Sequence, residues 1–474
     1  MRFVIKTSTA LSLRETILCL VIALGCGPCL FAESAVTSNT QPAQLPRYSL
    51  QDCVNRALDA NSDVLTARKR LEEAAGTIVE ARAGFLPSLT TYANYEWLQA
   101  DYASQSGSGS NQTFVSNRPF IWNVNIRLTE IIYSGGAVRA GLDIARLQRQ
   151  SRTQDYEGTI DQTIMDVRIA FYDILRNQSD VAVHQQAVSF LTEQVKNEQA
   201  RLDVGTGQKL NVLRAEVNLA LEQSALVDSR NHLSNSYLHL SELLMIPYSI
   251  DQGRAPFDID GTLAYEKTDL DLNDCLARAL VQRPELAARD NDIKVQKKQL
   301  IVDHSAILPR VNLYTGYDVV SEPDRTLAAD YYDGYVAGVS VNWQLFDGFA
   351  SKGRMNATRA RVEAAEISYD ATRRAIESSV LNGYRDLQRA EENIQTQTAN
   401  VQLATESLQL ATANFGLGLT SQLELLQSQL DLTRAQTAEL SARFDYNAAL
   451  ARLERAMGSH FQITETRATG AGSK

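Results

Sequence analysis

The chain has 474 residues, 44% of them apolar and 22% charged, so a large core is available and wholesale disorder is excluded. Its net charge is −10, and residues 1–32 carry +2, leaving −12 on the remainder; such a surface repels phosphates and argues against nucleic acid as a partner. Mean hydropathy is −0.23, and the single long apolar stretch lies near the start of the chain, which excludes a polytopic helical membrane protein.

That stretch comes first. Arg2, Lys6 and Arg14 precede Ile17–Ala23, and small residues follow through Ala32. Residues 1–32 read as a secretory signal peptide cut after Ala32. An alternative is processing and lipidation at Cys26, because Ala23-Leu24-Gly25-Cys26 loosely resembles a bacterial lipobox. Either route places the mature chain outside the cytoplasm. Cys19 and Cys29 also fall in the leader, so only Cys53 and Cys275 belong to the folded part. Two cysteines make neither a disulfide scaffold nor a zinc site, and both are expected as small buried helix residues.

The rest of the chain is an internal duplication. Leu50-Gln51-Asp52-Cys53-Val54-Asn55-Arg56-Ala57-Leu58 matches Leu272-Asn273-Asp274-Cys275-Leu276-Ala277-Arg278-Ala279-Leu280 at an offset of 222. The offset holds to Leu86-Pro87 against Leu308-Pro309 and to Tyr95 against Tyr317. It then becomes 213, pairing Gly205 with Gly418, Leu210 with Leu423 and Leu213 with Leu426. The difference is assigned to the Gly- and Ser-rich loop Asp101–Arg118. The expected organisation is a first repeat over 48–250, an equatorial linker over 251–270, a second repeat over 271–458 and a tail over 459–474 with no assigned role. A repeat this long describes two similar halves rather than a solenoid.

Each repeat opens with a capped helix. Ser49 and Asp271 are N-cap candidates, with Asp52 and Asp274 three residues on, a capping-box variant. Breaks are expected at Asn61-Ser62 and at Arg283-Pro284, and second helices should run to the prolines of Leu86-Pro87 and Leu308-Pro309.

The period then becomes two. Leu89, Thr91, Ala93, Tyr95 and Trp97 alternate with Thr90, Tyr92, Asn94 and Glu96. Trp122, Val124, Ile126 and Leu128 alternate with Asn123, Asn125, Arg127 and Thr129. The second repeat does the same over Val311–Val319 and Tyr335–Trp343. Strands about ten residues long, apolar on one face and polar on the other, suit a transmembrane β-barrel. Alternation alone fits a half-buried soluble sheet equally well.

Turns at Tyr133-Ser134-Gly135-Gly136 and Phe346-Asp347-Gly348 lead into very long helices. The first, from about Val138 to Val204, would measure about 100 Å. Its stripe Val167, Ile174, Val181, Val188, Val195, Leu202 repeats every seven residues, as does Val380, Leu387, Ile394, Val401, Leu408, Phe415. A strict heptad means left-handed coiling around partner helices. Both helices break at glycine pairs, Val204-Gly205-Thr206-Gly207 and Gly416-Leu417-Gly418-Leu419-Thr420. Amphipathic helices then return, with Leu210, Leu213 and Val217 matched by Leu423, Leu426 and Leu430. Each repeat therefore ends in a helical hairpin with a tight tip.

No P-loop, nucleophile elbow, dinucleotide fingerprint or zinc-protease motif occurs, and the five histidines are scattered. The chain is read as no enzyme, with no cofactor and no metal site.

The duplicated order of helix, Leu-Pro, strand pair, Gly turn, heptad helix, Gly tip and returning helix, from about Tyr48 to Gly458, resembles the outer-membrane efflux protein (TolC-like) family. The resemblance implies a mixed α and β fold: four strands per chain, twelve per homotrimer, form an outer-membrane β-barrel continuous with a long periplasmic α-helical barrel of coiled coils. It implies outer-membrane lipid, a periplasmic adaptor (membrane fusion protein) and an inner-membrane pump or ABC exporter as partners. Drug efflux and type I secretion share such an outer component. The family's adaptors dock at the tips, here Val204, Gly205 and Thr206, and Leu417, Gly418, Leu419 and Thr420. Its tunnel narrows just past the second tip at two acids one turn apart; Glu424 holds the first position, and the uncharged Gln427 holds the second. The arginine and the acid that link neighbouring coils in the family fall here on Thr420 and Asn211, so polar hydrogen bonds would replace ionic links. Trp97, Trp122 and Trp343 are expected on the lipid-facing barrel. The competing reading is a periplasmic coiled-coil scaffold or adaptor without a pore.

Overall fold

The computed structural model describes residues 46–97, 120–248, 256–321 and 331–458. The leader with Cys26, the loop Asp101–Arg118, part of the linker and the tail 459–474 lie outside them.

Helix α1 (Leu50–Ala60) starts in a full capping box. The Asp52 N–H donates to the Ser49 hydroxyl at 3.2 Å, and the Ser49 N–H donates to the Asp52 carboxylate at 3.0 Å. The matching α5 (Leu272–Gln282) is capped in one direction only, by the Asp271 carboxylate accepting from Asp274 N–H at 3.3 Å. The breaks fall where expected. Asn61 caps α2 (Ser62–Ala83), and Pro284 opens α6 (Pro284–Ser305), where its missing N–H costs nothing. Both helices stop before the Leu-Pro pairs, at Ala83 and Ser305, and single turns bonded back to the last carbonyls fill the gap.

Four strands follow: β2 (Ser88–Trp97) and β3 (Phe120–Tyr133) in the first repeat, β5 (Arg310–Ser321) and β6 (Tyr331–Asn342) in the second. They form one antiparallel sheet in the order β2-β3-β5-β6. The register keeps like with like. Leu89 pairs with Leu128, Ile126 with Tyr317, and Leu313 with Val339 on the apolar face. On the other face Tyr92 pairs with Asn125, Asn125 with Asp318, and Asn312 with Ser340. Leu89, Ile126, Val339 and Val341 stand exposed, while Asn123, Asn125, Arg127, Asn312, Tyr314 and Asp318 are half-buried. A sheet curled with its polar face inside shows this asymmetry. Two residues at the start of the first repeat, β1 (Arg47–Tyr48, one residue before its expected bound), run parallel to β4 (Asp258–Ile259) in the linker; a pairing this short leaves no sequence period.

The long helices are α3 (Ala137–Asp203) and α7 (Ala350–Gly416), each 67 residues and about 100 Å in length. Both start after two consecutive left-handed residues, Gly135 and Gly136 in one repeat, Gly348 and Phe349 in the other. Phe349 holds at φ +69° a conformation that favours glycine, and its ring packs edge-on against Phe346 with centroids 5.5 Å apart. Shorter helices return beside them: α4 (Lys209–Leu243) along α3 and α8 (Gln422–Met457) along α7.

Helix packing gives two tiers. Near the sheet the order is α2-α3-α6-α7; toward the tips it is α4-α3-α8-α7. Between the tiers sit two equivalent cores. In one, Cys53 and Ala57 of α1 pack on Val167 and Ile174 of α3 and Leu240 of α4. In the other, Cys275 and Ala279 of α5 pack on Val380 and Leu387 of α7 and Leu453 of α8. Both cysteines are buried free thiols, and burial pushes the Cys53 thiol up to about 12. One ion pair joins the repeats there, Arg168 with Glu454, while Arg283 and Arg455 both pair with Glu285 within the second repeat. The heptad stripes are fully buried only at this level. Val181, Val188, Val195 and Leu202, and Val401, Leu408 and Phe415, are half-buried. No helix among the described residues is long and apolar enough to cross a membrane.

Candidate functional site

The tips are made by left-handed glycines. Helix α3 closes with Gly207 N–H donating to the Arg201 carbonyl at 2.8 Å, which Gly205 permits at φ +79°. Helix α7 closes with Leu419 N–H donating to the Asn414 carbonyl at 2.9 Å around Gly418 at φ +74°. These bonds satisfy helix carbonyls that would otherwise be orphaned. Val204, Leu417 and Leu419 project from the turns, each about three-quarters exposed, and Gly205, Thr206 and Gly418 are exposed beside them. Apolar side chains held out this way are an uncovered patch at the end of the molecule.

Past the second tip, Ser421 caps α8. Its hydroxyl accepts from Glu424 N–H at 3.3 Å, and Ser421 N–H donates to the Glu424 carboxylate at 3.2 Å. The Ser-x-x-Glu spacing is the signature of this capping box. Gln427 is exposed, and its amide donates along the helix to Asp431 at 2.8 Å. Thr420 is half-buried between Leu419 and Ser421. Asn211 lies in the first turn of α4, and its carbonyl accepts from Gln422 Nε2 at 3.0 Å. Gln422, 5% exposed, therefore ties the Asn211 turn to the start of α8. It was not anticipated, since a glutamine on a helix has no pattern of its own.

A second tie was also missed. The Arg201 guanidinium lies over the Phe415 ring, 4.5 Å from its centroid, linking α3 to α7. The same group is 3.5 Å from Glu198, whose side chain is 2% exposed. Removing Arg201 would strand that buried carboxylate. Higher in the same hairpin His184 Nδ1 sits 2.6 Å from Glu222, joining α3 to α4. Among the described residues no group of three or more His, Cys, Asp or Glu side chains could hold a metal ion.

In the sheet, Trp97 and Trp122 mark the end far from the helices, and Tyr95 pairs with Trp122 on the apolar face. Trp343 marks the near end, one residue past β6, and its indole N–H donates to the Ile307 carbonyl at 3.1 Å. Trp97 and Trp343 are exposed and Trp122 is half-buried. Aromatic residues thus flank an apolar band at both ends, the distribution that suits two lipid–water interfaces.

Comparison with known proteins agrees with this architecture. Against solved structures the chain superposes on the Campylobacter jejuni CmeC outer membrane channel with a TM-score of 0.74 at 15% identity, covering 86% of this chain and 85% of that one. The outer-membrane channel OprN gives 0.73 at 18% identity, covering 87% and 90%. By sequence the chain is 21% identical over 337 residues to the outer membrane efflux protein BepC of Brucella suis, 71% of this chain and 72% of that protein. It is 20% identical over 353 residues to the outer membrane protein TolC of Vibrio cholerae, 73% of this chain and 74% of that protein. The sequence model of the outer membrane efflux protein family matches residues 53–244 and 275–459, one match per repeat. The chain therefore belongs to the outer membrane efflux protein family and is an outer-membrane channel of that class.

Proposed function

We propose that the chain is the exit duct of a tripartite efflux or type I secretion machine, working as a homotrimer. The observation that carries this is a matched set of unsatisfied edges. Among the described residues the sheet order leaves β2 and β6 without a second neighbour. An open edge in lipid costs several kcal/mol per unpaired backbone group, so four strands demand more copies. Three copies supply twelve, enough to enclose a water-filled bore. The helices repeat the argument. Leu210, Leu213, Val217 and Leu221 on α4, and Leu403 and Leu410 on α7, are exposed apolar side chains on the two outermost helices. The α4 stripe is the apolar side of the amphipathic pattern in the sequence, and a neighbouring copy's α7 would bury it. The helical tiers, much longer than a membrane is thick, would then extend as a tunnel into the periplasm.

In this reading the passage is passive. An inner-membrane pump or ABC exporter drives it through a periplasmic adaptor that docks on Val204, Gly205 and Thr206 and on Leu417, Gly418, Leu419 and Thr420. Glu424, Gln427, Thr420 and Asn211 form the constriction. Three Glu424 carboxylates around one axis would favour bound cations. The test is purification from the outer membrane followed by planar-bilayer recording. Heat-modifiable, conducting trimers are expected; a water-soluble, non-conducting monomer overturns the reading. Glu424→Gln is expected to lower cation selectivity while keeping the capping box, which accepts glutamine. Unchanged selectivity would remove Glu424 from the pore.

A further inference from the structure

The described strands contain three glycines, Gly316, Gly334 and Gly338, and all three lie on the polar face. Glycine weakens a strand, so three on one face need a reason. Each stands directly across from one member of a connected group. Gly316 pairs with Arg127, Gly334 with Asp318, and Gly338 with Tyr314. The Arg127 guanidinium is 3.3 Å from the Asp318 carboxylate and 5.2 Å from the centre of the Tyr314 ring. The ring in turn covers Gly338, where a Cβ would come within 2.7 Å of the Tyr314 hydroxyl oxygen. At Gly316 a Cβ would meet the Ile126 carbonyl oxygen at 2.4 Å. Gly338 is thus the floor on which the Tyr314 ring lies flat, Gly316 lets the neighbouring strand's backbone approach, and at Gly334 a Cβ would meet open space.

We propose that this Arg127–Asp318–Tyr314 group sets the bore and the charge of the barrel wall: Gly338 lets the Tyr314 ring lie against the wall and out of the passage, and Asp318 cancels the field of Arg127. The proposal rests on the reading of the polar face as the lumen. Three copies would place three such groups around the passage. With Asp318 removed, three uncompensated guanidiniums would attract anions; with Arg127 removed, three carboxylates would attract cations. Glu96 lies on the same face, and its charge is common to every comparison.

The test reads the wall locally, so that the constriction at the tips does not mask it. Thr90 pairs with Arg127 on the polar face, and Thr90→Cys in the full-length protein, assembled in membranes, places a reporter thiol there. Cys53 and Cys275 are at most 2% exposed and do not compete. The readout is the rate with membrane-impermeant methanethiosulfonates, as the ratio of an anionic to a cationic reagent. Adding Asp318→Asn should raise that ratio about fivefold, the effect of a unit charge acting through water at close range on both reagents. Adding Arg127→Gln should lower it to a similar extent, and the double variant should return it toward the parent. Adding Gly338→Ala should slow a bulky neutral maleimide several-fold, and Tyr314→Ala on top should restore the rate. A ratio unmoved by Asp318→Asn at a reporter that reacts readily overturns the proposal. A reporter that no impermeant reagent reaches overturns the lumen assignment itself.

Discussion

At the first tip, α4 begins after Gln208, whose side chain caps nothing; at the second, α8 begins after Ser421 in a closed capping box with Glu424. The offset of 213 makes Gln208 the counterpart of Ser421 and Asn211 the counterpart of Glu424. The turns themselves agree, with left-handed Gly205 and Gly418 at φ +79° and +74°. Duplication has kept the geometry that reverses the chain and let the helix starts diverge. The first turn of α4 accepts a hydrogen bond from Gln422, a residue of the other repeat, so one tip opens on a self-capped helix and the other on a helix tied to it.

The largest effect expected on this comparison comes from the residue that joins the tips. Arg201→Ala should cost about 3 kcal/mol in urea unfolding of solubilised protein, because it strands the buried Glu198 carboxylate. A cost no greater than that of the exposed Arg214→Ala would break the claim that Arg201 neutralises the buried Glu198 carboxylate. Next come the glycines. Gly205→Ala and Gly418→Ala should each cost about 1 to 2 kcal/mol, since alanine resists the left-handed region. Clearly unequal costs would mean that the two turns do not share a backbone.

Capping comes third. Ser421→Ala should cost about 1 kcal/mol and raise hydrogen exchange in the first turn of α8. The same change at its counterpart, Gln208→Ala, should alter neither. The smallest effect is on acid stability. Hydrogen bonds from the Ser49 hydroxyl and backbone N–H hold the Asp52 carboxyl below its ordinary value. A depressed carboxyl stabilises the fold above the unfolded-state value, and that contribution is lost as pH falls through the folded one. The start of α1 should therefore fray below about pH 4, and Asp52→Asn should flatten that step in helix signal. An unchanged acid limb in the variant would assign the step to other carboxylates.

Much of this architecture was readable without coordinates because it is periodic. The heptads and the glycine tips placed the first 67-residue helix to within a residue and marked the stripe of the second, and the alternation of Val124, Ile126 and Leu128 with Asn123, Asn125 and Arg127 showed the faces of the sheet. What escaped has no period. Phe349 adopts a glycine conformation with its ring exposed and edge-on to Phe346 three residues back, an arrangement that no residue pattern announces. Gln422 and Arg201 act on residues 211 and 214 positions away along the chain. The helices ended early because a residue preceding proline avoids the α region, so the turn begins before the ring that forces it. The amphipathic pattern of α4 shows an apolar stripe but not what covers it, and in the single chain Leu210, Leu213 and Val217 stand exposed.

The placement of the two cores gives the molecule mechanical leverage. Val380 and Leu387 grip α7 near its midpoint, as Val167 and Ile174 grip α3, leaving an arm of about 50 Å below that grip. A pivot of about 10° there would carry a tip about 9 Å. With the strands anchored in lipid, compliance belongs to the waist rather than the wall. Substitutions at these grip points, far from either tip, should be felt most strongly at the tips.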